Sequence, residues 1–421
     1  MDKSIYIEIR DRLKTLISGT EFENRVFFVG GCCRDDIMGC EIKDIDISVA
    51  LPDGGIRLAQ WLQAEGHTVS EPSVFHDYHT AKFRLAEYPE IELESVQTRK
   101  ESYPDRESRN PVTSYGTHEE DCMRRDLTVN ALYQNVSTGE IVDITGKGLE
   151  DIHDHIIRTP ADPYRTYDED PLRILRCVRF AARFGWEIEK ETLAAMVEMV
   201  PRMSILTPAR ISEEFLKMLQ DDRPAMAIEL LCSIGAVEYV LQETPSDAAI
   251  RALRTLSLET ADMRLRLAAL LYDSQRARDI MDRLRLSIAE VSDITCLIQC
   301  CSEVLQWETV EDYKIRDVQY KCNTDDRFND VMLLAVSISD TASKIIEIMR
   351  RSSAMIVDGT AMYGYKLPVS GKDIINELGL TPGPMIKECQ EYLLSLAFRN
   401  PKLTRQEALS AIQNRILERT M

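Results

Sequence analysis

The periodicity of apolar residues changes near Thr159, and this change limits the folds that the chain can adopt. Before about residue 150, short β-rich runs such as VFFVGG, IDISVA and IELESV are separated by Gly, Pro and Asn, with helical segments between them. After Thr159, apolar residues recur at helical spacing in long segments such as ETLAAMVEMV and AMAIELLCSIGAVEYVL. The sequence of 421 residues therefore predicts several domains, an α+β head followed by an all-helical region.

Composition excludes several classes of protein. The 51 basic and 70 acidic residues give a net charge of −19, which argues against a protein that coats nucleic acid by bulk positive charge, so a polyanion must meet a local basic patch. No stretch approaches the ~20 apolar residues of a membrane span, and the N-terminus MDKSIYIEIRDRL is too charged for a signal peptide. Eleven scattered cysteines form no disulfide framework. These features predict a cytoplasmic protein with no membrane partner.

A glycine pair marks a candidate phosphate site. The segment VFFVGGCCRDDIMGCEIKDIDISVA predicts a strand, a turn at Gly30 and Gly31, a short helix from about Cys33 to Met38 that ends at Gly39, and a second strand. Glycines at such a turn let the backbone approach a phosphate, and the helix N-terminus offers N–H groups to it. Arg34 lies one turn into the helix and can add positive charge. The pattern is not that of a Walker loop.

The second strand contains a candidate metal site. Asp44 and Asp46 are two positions apart and therefore share one face of the strand. Oxygen ligands from a carboxylate pair, completed by water and substrate phosphates, suit Mg²⁺. The alternative is the polar face of a half-buried strand, but the glycine turn just upstream favours the metal hypothesis. The run IELESVQTR also places Glu92 and Glu94 on one face; Glu94 is predicted to be a third catalytic carboxylate, and a solvated strand face is the alternative.

An arginine pair follows in EEDCMRRDLTVNALYQ. Arg124 and Arg125 are predicted to precede a strand, and paired arginines can hold a triphosphate. The apolar positions that define this predicted strand are Leu127, Val129 and Ala131. Asp126 and Asn130 are predicted to face the same nucleotide site. The alternative is an ordinary pair of surface arginines.

A helix is predicted to begin near Pro171, after the acidic residues 168–170. Arginines follow at steps of three, three and four, which places them in one stripe of the helix. These arginines are Arg173, Arg176, Arg179 and Arg183. The alternative is an amphipathic helix with a solvated basic face.

Three residues at this helix start can recognise a nucleotide base. Glu169, Asp170 and Arg173 are spaced so that their side chains share one helical face. A carboxylate accepts hydrogen bonds and a guanidinium donates them, so the two groups match an edge with an amine beside a ring-nitrogen acceptor. Cytosine and adenine present that edge, whereas uracil and guanine would leave unpaired groups at a cost of about 1–3 kcal/mol each.

Together these motifs resemble the class II tRNA nucleotidyltransferases, which are the CCA-adding enzymes, and their bacterial poly(A) polymerase relatives. The match includes Gly-Gly-x-x-Arg-Asp and Asp-x-Asp at 30–46, Arg-Arg-Asp at 124–126 and Glu-Asp-x-x-Arg at 169–173. The resemblance implies a polymerase-β-like nucleotidyltransferase head at 1–157, followed by a helical neck at 158–220, a body at 221–350 and a tail at 351–421. The neck would recognise the base, and the body and tail would bind RNA.

The resemblance also implies roles for residues. Asp44 and Asp46 would hold Mg²⁺, Gly31 and Arg34 would bind the triphosphate, and either Arg124 or Arg125 would contact the nucleotide. The base would be read by Glu169, Asp170 and Arg173, with Arg176 and Arg179 nearby.

The implied activity is addition of C, C and A to the 3′ end of tRNA from CTP and ATP. Poly(A) addition, CC-only addition and A-only addition are alternatives within the family, and a catalytically silent RNA-binding protein is an alternative outside it. The sequence makes no prediction of oligomeric state.

Overall fold

The computed structural model describes residues 1–102, 112–339 and 342–420, and the chain forms two compact units, Met1–Gln242 and Glu243–Met421. The predicted change from an α+β region to an all-helical region is confirmed, because the described strands all precede residue 189. The finer division into head, neck, body and tail stays a prediction.

The strands of the first unit are short. They are β1 Val26–Val29, β2 Ile45–Val49, β3 Ser73–Phe75, β4 Thr80–Phe83, β5 Leu93–Gln97, β6 Arg99–Ser102, β7 Val112–Tyr115, β8 Leu132–Asn135, β9 Ile141–Asp143, β10 Ile156–Ile157 and β11 Glu187–Ile188. Seven of them form one mixed sheet in the order β3-β4-β5-β2-β1-β8-β9, in which only β2 and β5 pair in parallel. Strand β2 therefore lies inside the sheet, and its residues Ile47, Ser48 and Val49 are buried.

The helices of the first unit cover this sheet and continue the chain beyond it. They are α1 Lys3–Ile17, α2 Gly31–Met38, α3 Gly54–Ala64, α4 His118–Met123, α5 Gly148–Asp154, α6 Pro163–Glu169, α7 Leu172–Phe184, α8 Lys190–Met199, α9 Pro208–Gln220, α10 Pro224–Ser233 and α11 Val237–Val240. Helix α3 packs on β5 so closely that a Cβ on Gly55 would lie 2.6 Å from the carbonyl oxygen of Ser95.

The second unit is helical throughout its described residues. Its helices are α12 Asp247–Leu256, α13 Met263–Leu271, α14 Ala277–Arg283, α15 Ile288–Gln306, α16 Asp312–Cys322, α17 Asp325–Ile338, α18 Ser343–Val357, α19 Gly371–Leu378, α20 Pro384–Arg399 and α21 Arg405–Thr420. The last three pack around a small apolar core that includes Ile374, Leu393 and Ile412. Among the residues that the structure describes, no helix is long and apolar enough to cross a bilayer.

The prediction of a strand that begins near Leu127 is wrong. Thr128–Asn130 instead form a 3₁₀ turn, and the strand begins only at Leu132. The turn is buried, so the apolar alternation of Leu127, Val129 and Ala131 reflects a buried connection. The backbone N–H of Asn130 donates to the carbonyl of Leu127, and the backbone N–H of Thr128 donates to the carbonyl of Arg158. These buried backbone groups are therefore hydrogen-bonded without belonging to a sheet.

The predicted helix is interrupted at Asp170. Helix α6 ends at Glu169, Asp170 is extended with φ −143° and ψ 98°, and α7 starts at Leu172. A residue before proline is disfavoured in the α region, and Pro171 occupies the next position. The expectation that Glu169, Asp170 and Arg173 share the face of one helix is therefore wrong.

Candidate functional site

The two predicted metal ligands lie at the start of β2. Asp44 directly precedes the strand and Asp46 is its second residue, and both are exposed. Asp46 pairs in register with Val29 of β1 on one side and with Glu94 of β5 on the other. Three carboxylates that are well separated in sequence are therefore brought to one region of the sheet because β2 is flanked by β1 and β5.

The pKa of Asp46 shows how these carboxylates interact. Loss of hydration in the surrounding protein raises this pKa, and the charges of Asp44 and Glu94 raise it further, to about 6. A divalent cation would offset this repulsion, so the donor atoms fit Mg²⁺. The Oε2 of Glu94 lies 3.3 Å from Nζ of Lys82, so this carboxylate has a cationic partner, and its role as a third carboxylate stays a prediction. No three His, Cys, Asp or Glu side chains in the described ranges are arranged to hold an ion as they stand.

The glycine turn leads directly into α2. Gly30 has φ 77°, a conformation that favours glycine, and α2 begins at Gly31, two residues earlier than predicted. Gly39 ends the helix in the left-handed conformation with φ 67°, as predicted. The N-terminus of α2 therefore opens beside the end of β1, at the same edge as Asp46.

Arg34 is 3% exposed and is held in place from several sides. Its guanidinium donates to Asp35 and to the side-chain oxygen of Asn130, and it lies 5.2 Å from the ring centre of Phe180 and 5.0 Å from that of Phe184. Arg34 and Asn130, which were each predicted to face a nucleotide, are therefore in direct contact. The two phenylalanines belong to α7, so this arginine connects α2 to that helix.

The two arginines of the pair share one acidic partner, Asp121, but point in different directions. Arg124 and Arg125 both donate to Asp121, at 2.6 Å and 3.1 Å, and the Tyr133 hydroxyl donates to the same carboxylate at 2.6 Å. Burial raises the pKa of Asp121, but the guanidinium groups of Arg125 and Arg124 outweigh burial and hold it below its usual range. From this anchor, Arg124 reaches Glu101, whereas Arg125 turns towards Asn130.

The arginine stripe of α7 does not face solvent. Arg173 is 6% and Arg179 is 8% exposed, so the alternative of a solvated basic face is wrong. Arg176 donates to Asp126 at 2.7 Å and to Glu214 of α9 at 3.4 Å, and Arg179 donates to Glu214 at 2.8 Å. These ion pairs fix α7 against both the arginine-pair segment and α9.

These elements surround one cleft of about 260 Å³. Six cationic and four acidic side chains line it, in a chain whose net charge is −19. Its lining residues are Gly30, Gly31, Arg34, Asp35, Lys43, Asp44, Asp46, Arg125, Asp126, Asn130, Arg176, Arg179, Phe180 and Arg183. The carboxylates at β2 and the arginines of α7, which are far apart in sequence, therefore face the same cavity.

The remaining predicted residues lie elsewhere. Arg124 and Glu169 line a second cavity of about 360 Å³, beside Glu101 and Arg165. Arg173 is close to this cavity, since its guanidinium lies 3.6 Å from Glu169 and 3.8 Å from Glu101. Glu94 lines a third cavity, of about 410 Å³, which also reaches Asp44 and Asp46.

Asp170 does not pair with Arg173 as expected from their spacing. Its Oδ2 accepts from Arg210 of α9 at 2.9 Å, and its Oδ1 accepts from the backbone N–H of Leu172. The break before Pro171 turns the carboxylate away from the α7 stripe and towards α9. Arg173 donates instead to the carbonyl of Thr166.

Sequence reasoning missed Asp121, Phe180, Arg210 and Glu214. Glu214 carried a usable signal, because it falls on the apolar face of α9 with Ile211, Phe215 and Met218. A carboxylate at such a position requires a buried partner, and the α7 arginines supply it. Asp121 and Phe180 carried no comparable signal, since their roles depend on contacts between distant segments.

Parts of this chain match two family models, and the chain is similar to several known proteins. Residues 26–158 match the family model described as the poly A polymerase head domain, and residues 185–247 match that described as the probable RNA and SrmB- binding site of polymerase A. The tRNA nucleotidyltransferase cca2 of Schizosaccharomyces pombe is 25% identical, over 92% of both chains. The mitochondrial CCA tRNA nucleotidyltransferase of Saccharomyces cerevisiae is 34% identical over 48% of this chain, which spans 39% of that relative.

Among solved structures, the CCA-adding enzyme of Bacillus stearothermophilus in complex with CTP superposes with a TM-score of 0.78. The alignment covers 100% of this chain and 99% of that one at 20% sequence identity. At this identity the likeness establishes the fold.

Proposed function

Because this chain belongs to the family of class II tRNA nucleotidyltransferases and poly(A) polymerases, we propose that it is a CCA-adding enzyme. It would add C, C and A to the 3′ end of tRNA, without a nucleic-acid template, from CTP and ATP. The observation that carries this proposal is the single cleft in which Asp44 and Asp46 face Arg125, Arg176 and Arg179. Carboxylates for a cation and arginines for a triphosphate are the groups that nucleotidyl transfer requires.

Asp44 and Asp46 would hold Mg²⁺. When bound, the cation would supply positive charge that activates the RNA 3′-hydroxyl and neutralises the triphosphate. Glu94, which pairs with Lys82, would be the third carboxylate beside this site. This assignment needs no histidine, and none of the six histidines of the chain is among the residues that line the cleft.

The triphosphate would lie between the glycine turn and α7. The turn at Gly30 and Gly31 lets the α2 N-terminus face the cleft, and backbone N–H groups there can donate to phosphate oxygens. Arg176 and Arg179 are fixed by Glu214 before any ligand binds. Preorganised arginines of this kind orient the phosphates with little loss of side-chain entropy.

The base would be read at the break between α6 and α7. Asp170 supplies the acceptor and Arg173 the donor for the edge shared by cytosine and adenine. Arg210 holds the carboxylate of Asp170, and Glu169 and Glu101 hold Arg173 from the other side. Each reading group would thus be positioned by a residue of opposite charge.

A product ladder tests the activity. The full chain would be given tRNA transcripts that end before CCA, with each nucleotide alone and with all four together. We expect extension by C, C and A and then a stop. Long oligo(A) on unrelated RNA would instead identify a poly(A) polymerase, a stop after CC or incorporation of A alone would identify the corresponding partial enzymes, and RNA binding without extension would identify a silent protein.

Asp170→Ala should weaken base selectivity. Without the acceptor, UTP and GTP no longer meet an opposing carboxylate. We therefore expect the ratio of kcat/KM for CTP over UTP to fall by about 5- to 150-fold, the effect of about 1–3 kcal/mol. Asp168→Ala is the matched control, because Asp168 belongs to the same acidic cluster but pairs with Arg202. Equal selectivity in the two variants would show that the base is read elsewhere.

The cytoplasm is the compartment that we propose for this enzyme. The scattered spacing of its eleven cysteines supports this proposal. One of the relatives is named as mitochondrial, so imaging of the tagged full-length protein with a mitochondrial marker is the direct test.

A further inference from the structure

The two arginines of the pair at 124–125 line different cavities. Arg125 lines the cleft that also contains Asp44 and Asp46, whereas Arg124 lines the second cavity, of about 360 Å³. Both share the carboxylate of Asp121, so any difference in their roles must come from their other contacts. This placement favours Arg125 as the arginine that contacts the nucleotide, and Arg124 needs a different explanation.

Arg124 connects Asp121 to strand β6 through three nitrogen atoms. Its Nη2 donates to Asp121 at 2.6 Å, its Nη1 donates to Glu101 at 3.1 Å, and its Nε donates to the backbone carbonyl of Arg99 at 3.2 Å. The backbone N–H of Arg99 in turn donates to Asp121 at 3.2 Å. Because Asp121 is 1% exposed, it is a firm base for these contacts. Arg124 therefore fixes both the backbone and the Glu101 carboxylate of β6.

Glu101 carries this contact on to Arg173 of α7. Its two oxygens face different arginines, since Oε1 accepts from Arg124 and Oε2 lies 3.8 Å from Nη2 of Arg173. The side chains of Glu101 and Arg173 are each 7% exposed, so water screens their attraction weakly. On the other side, Glu169 lies 3.6 Å from Nη1 of Arg173. The Arg173 guanidinium thus lies between two carboxylates, of which Glu101 is the one that Arg124 orients.

We propose that Arg124 is a positioning residue for base selection, which acts on Arg173 through Glu101 and does not itself contact the nucleotide. This inference rests on the proposed function, in which Arg173 donates to the base. Without Arg124, the Glu101 carboxylate can turn and Arg173 can follow it. Because hydrogen bonds to a base edge need close and directed contact, a shift of about 1 Å in the donor is enough to weaken discrimination.

Removal of Arg124 leaves no buried carboxylate without a cation. In Arg124→Gln, Asp121 keeps its ion pair with Arg125, and Glu101 keeps its ion pair with Arg99 at 3.1 Å. A buried carboxylate is strongly destabilising when its last partner is removed, and that does not occur here. The variant is therefore expected to fold, and its effect on the reaction can be measured.

The test compares CTP with UTP as substrates for the full chain and a tRNA that lacks CCA. In Arg124→Gln we expect the ratio of kcat/KM for CTP over UTP to fall by about tenfold, with less than about a twofold change in KM for CTP. A loss of folded protein lowers both rates equally and leaves this ratio unchanged. Lys100→Gln is the matched control, because Lys100 lines the same cavity but pairs with Glu120 at 3.8 Å. It should keep the parent ratio.

A double variant tests the route through Glu101. If Arg124 acts through this carboxylate, Arg124→Gln should cause no further change in the ratio when Glu101→Gln is already present. Independent effects of the two substitutions would overturn the proposal. So would an unchanged ratio in Arg124→Gln, including the case in which KM for CTP rises, since a higher KM alone indicates direct contact with the nucleotide. A folding defect in the double variant would not affect the measurement on Arg124→Gln.

Arg173→Gln separates this proposal from the proposed function. If Arg173→Gln lowers the CTP to UTP ratio and Arg124→Gln does not, base reading by Arg173 stands and only the role of Arg124 is refuted. If neither substitution changes the ratio, the base is read elsewhere and both proposals fail. The expected result is a lower ratio in both variants and the parent ratio in Lys100→Gln.

Discussion

Asp46→Asn should abolish nucleotide addition while leaving the protein folded. Asparagine preserves the size of the side chain but removes the negative charge with which Asp46, together with Asp44, would hold Mg²⁺. We expect kcat/KM for CTP incorporation into a tRNA that lacks CCA to fall by at least about 10³-fold, which corresponds to about 4 kcal/mol of transition-state stabilisation. Single-turnover incorporation of labelled CTP over a range of Mg²⁺ concentrations measures this loss.

The stability of the same variant separates a lost cation site from unfolding. The pKa of Asp46 is raised in the folded protein to about 6, so its ionised form disfavours folding at any pH above this value. In the absence of Mg²⁺, Asp46→Asn should therefore unfold at an equal or higher temperature than the parent at neutral pH. Glu92→Gln is the matched control, because Glu92 borders the same region but pairs with Lys82 and Arg84. Activity similar to that of the control would refute the metal assignment.

Asp121→Asn should be strongly destabilising although Asp121 lies outside the cleft. This carboxylate is 1% exposed and accepts from Arg124, Arg125 and Tyr133. Its loss removes the acidic partner of Arg125 and leaves Arg124 with Glu101. Removal of one partner of a buried ion pair costs about 3–5 kcal/mol. We expect the free energy of unfolding of the first unit to fall by about that amount.

Urea denaturation followed by tryptophan fluorescence measures this change. A Trp307→Phe background leaves Trp61 and Trp186 as reporters of the first unit, so that its transition is observed separately. Glu119→Gln, an exposed change on the same helix, should alter stability by no more than about 0.5 kcal/mol.

The pH dependence of the same destabilisation gives a second measurement. The pKa of Asp121 is held below its usual range in the folded protein, so its stabilisation is present above about pH 4 and is lost as pH falls. The difference between Asp121→Asn and its parent should therefore shrink below about pH 4. A difference that stays constant with pH would show that packing, and not charge, explains the effect.

Local pattern was sufficient for the central part of the fold. Strand β1, the glycine turn, α2 and β2 are determined by residues adjacent in sequence, and Gly39 ends α2 where its conformational freedom is needed. Glu94 was predicted to lie near the aspartate pair, and its strand pairs with β2 so that Glu94 is opposite Asp46. These predictions depend on short-range rules.

The errors arose where tertiary contacts override local periodicity. The alternation of Leu127, Val129 and Ala131 is that of a strand, yet a buried 3₁₀ turn satisfies the same burial. The spacing of Asp170 and Arg173 suits one helix, but Pro171 breaks it and Arg210 binds the carboxylate instead. The stripe on α7 allowed both a solvated and a buried face, and the positions of Asp126 and Glu214 decide between them.

The extended residue between α6 and α7 separates the acceptor and the donor proposed for base recognition. The Asp170 carboxylate is oriented by its contact with α9. Arg173 lies on α7, and its guanidinium contacts residues of α6. The distance between the two groups therefore depends on how three helices pack, not on a fixed helical pitch. If Asp170 and Arg173 read the base as proposed, substitutions of core residues of α9, remote from any nucleotide, would change which base is accepted without altering either of these side chains.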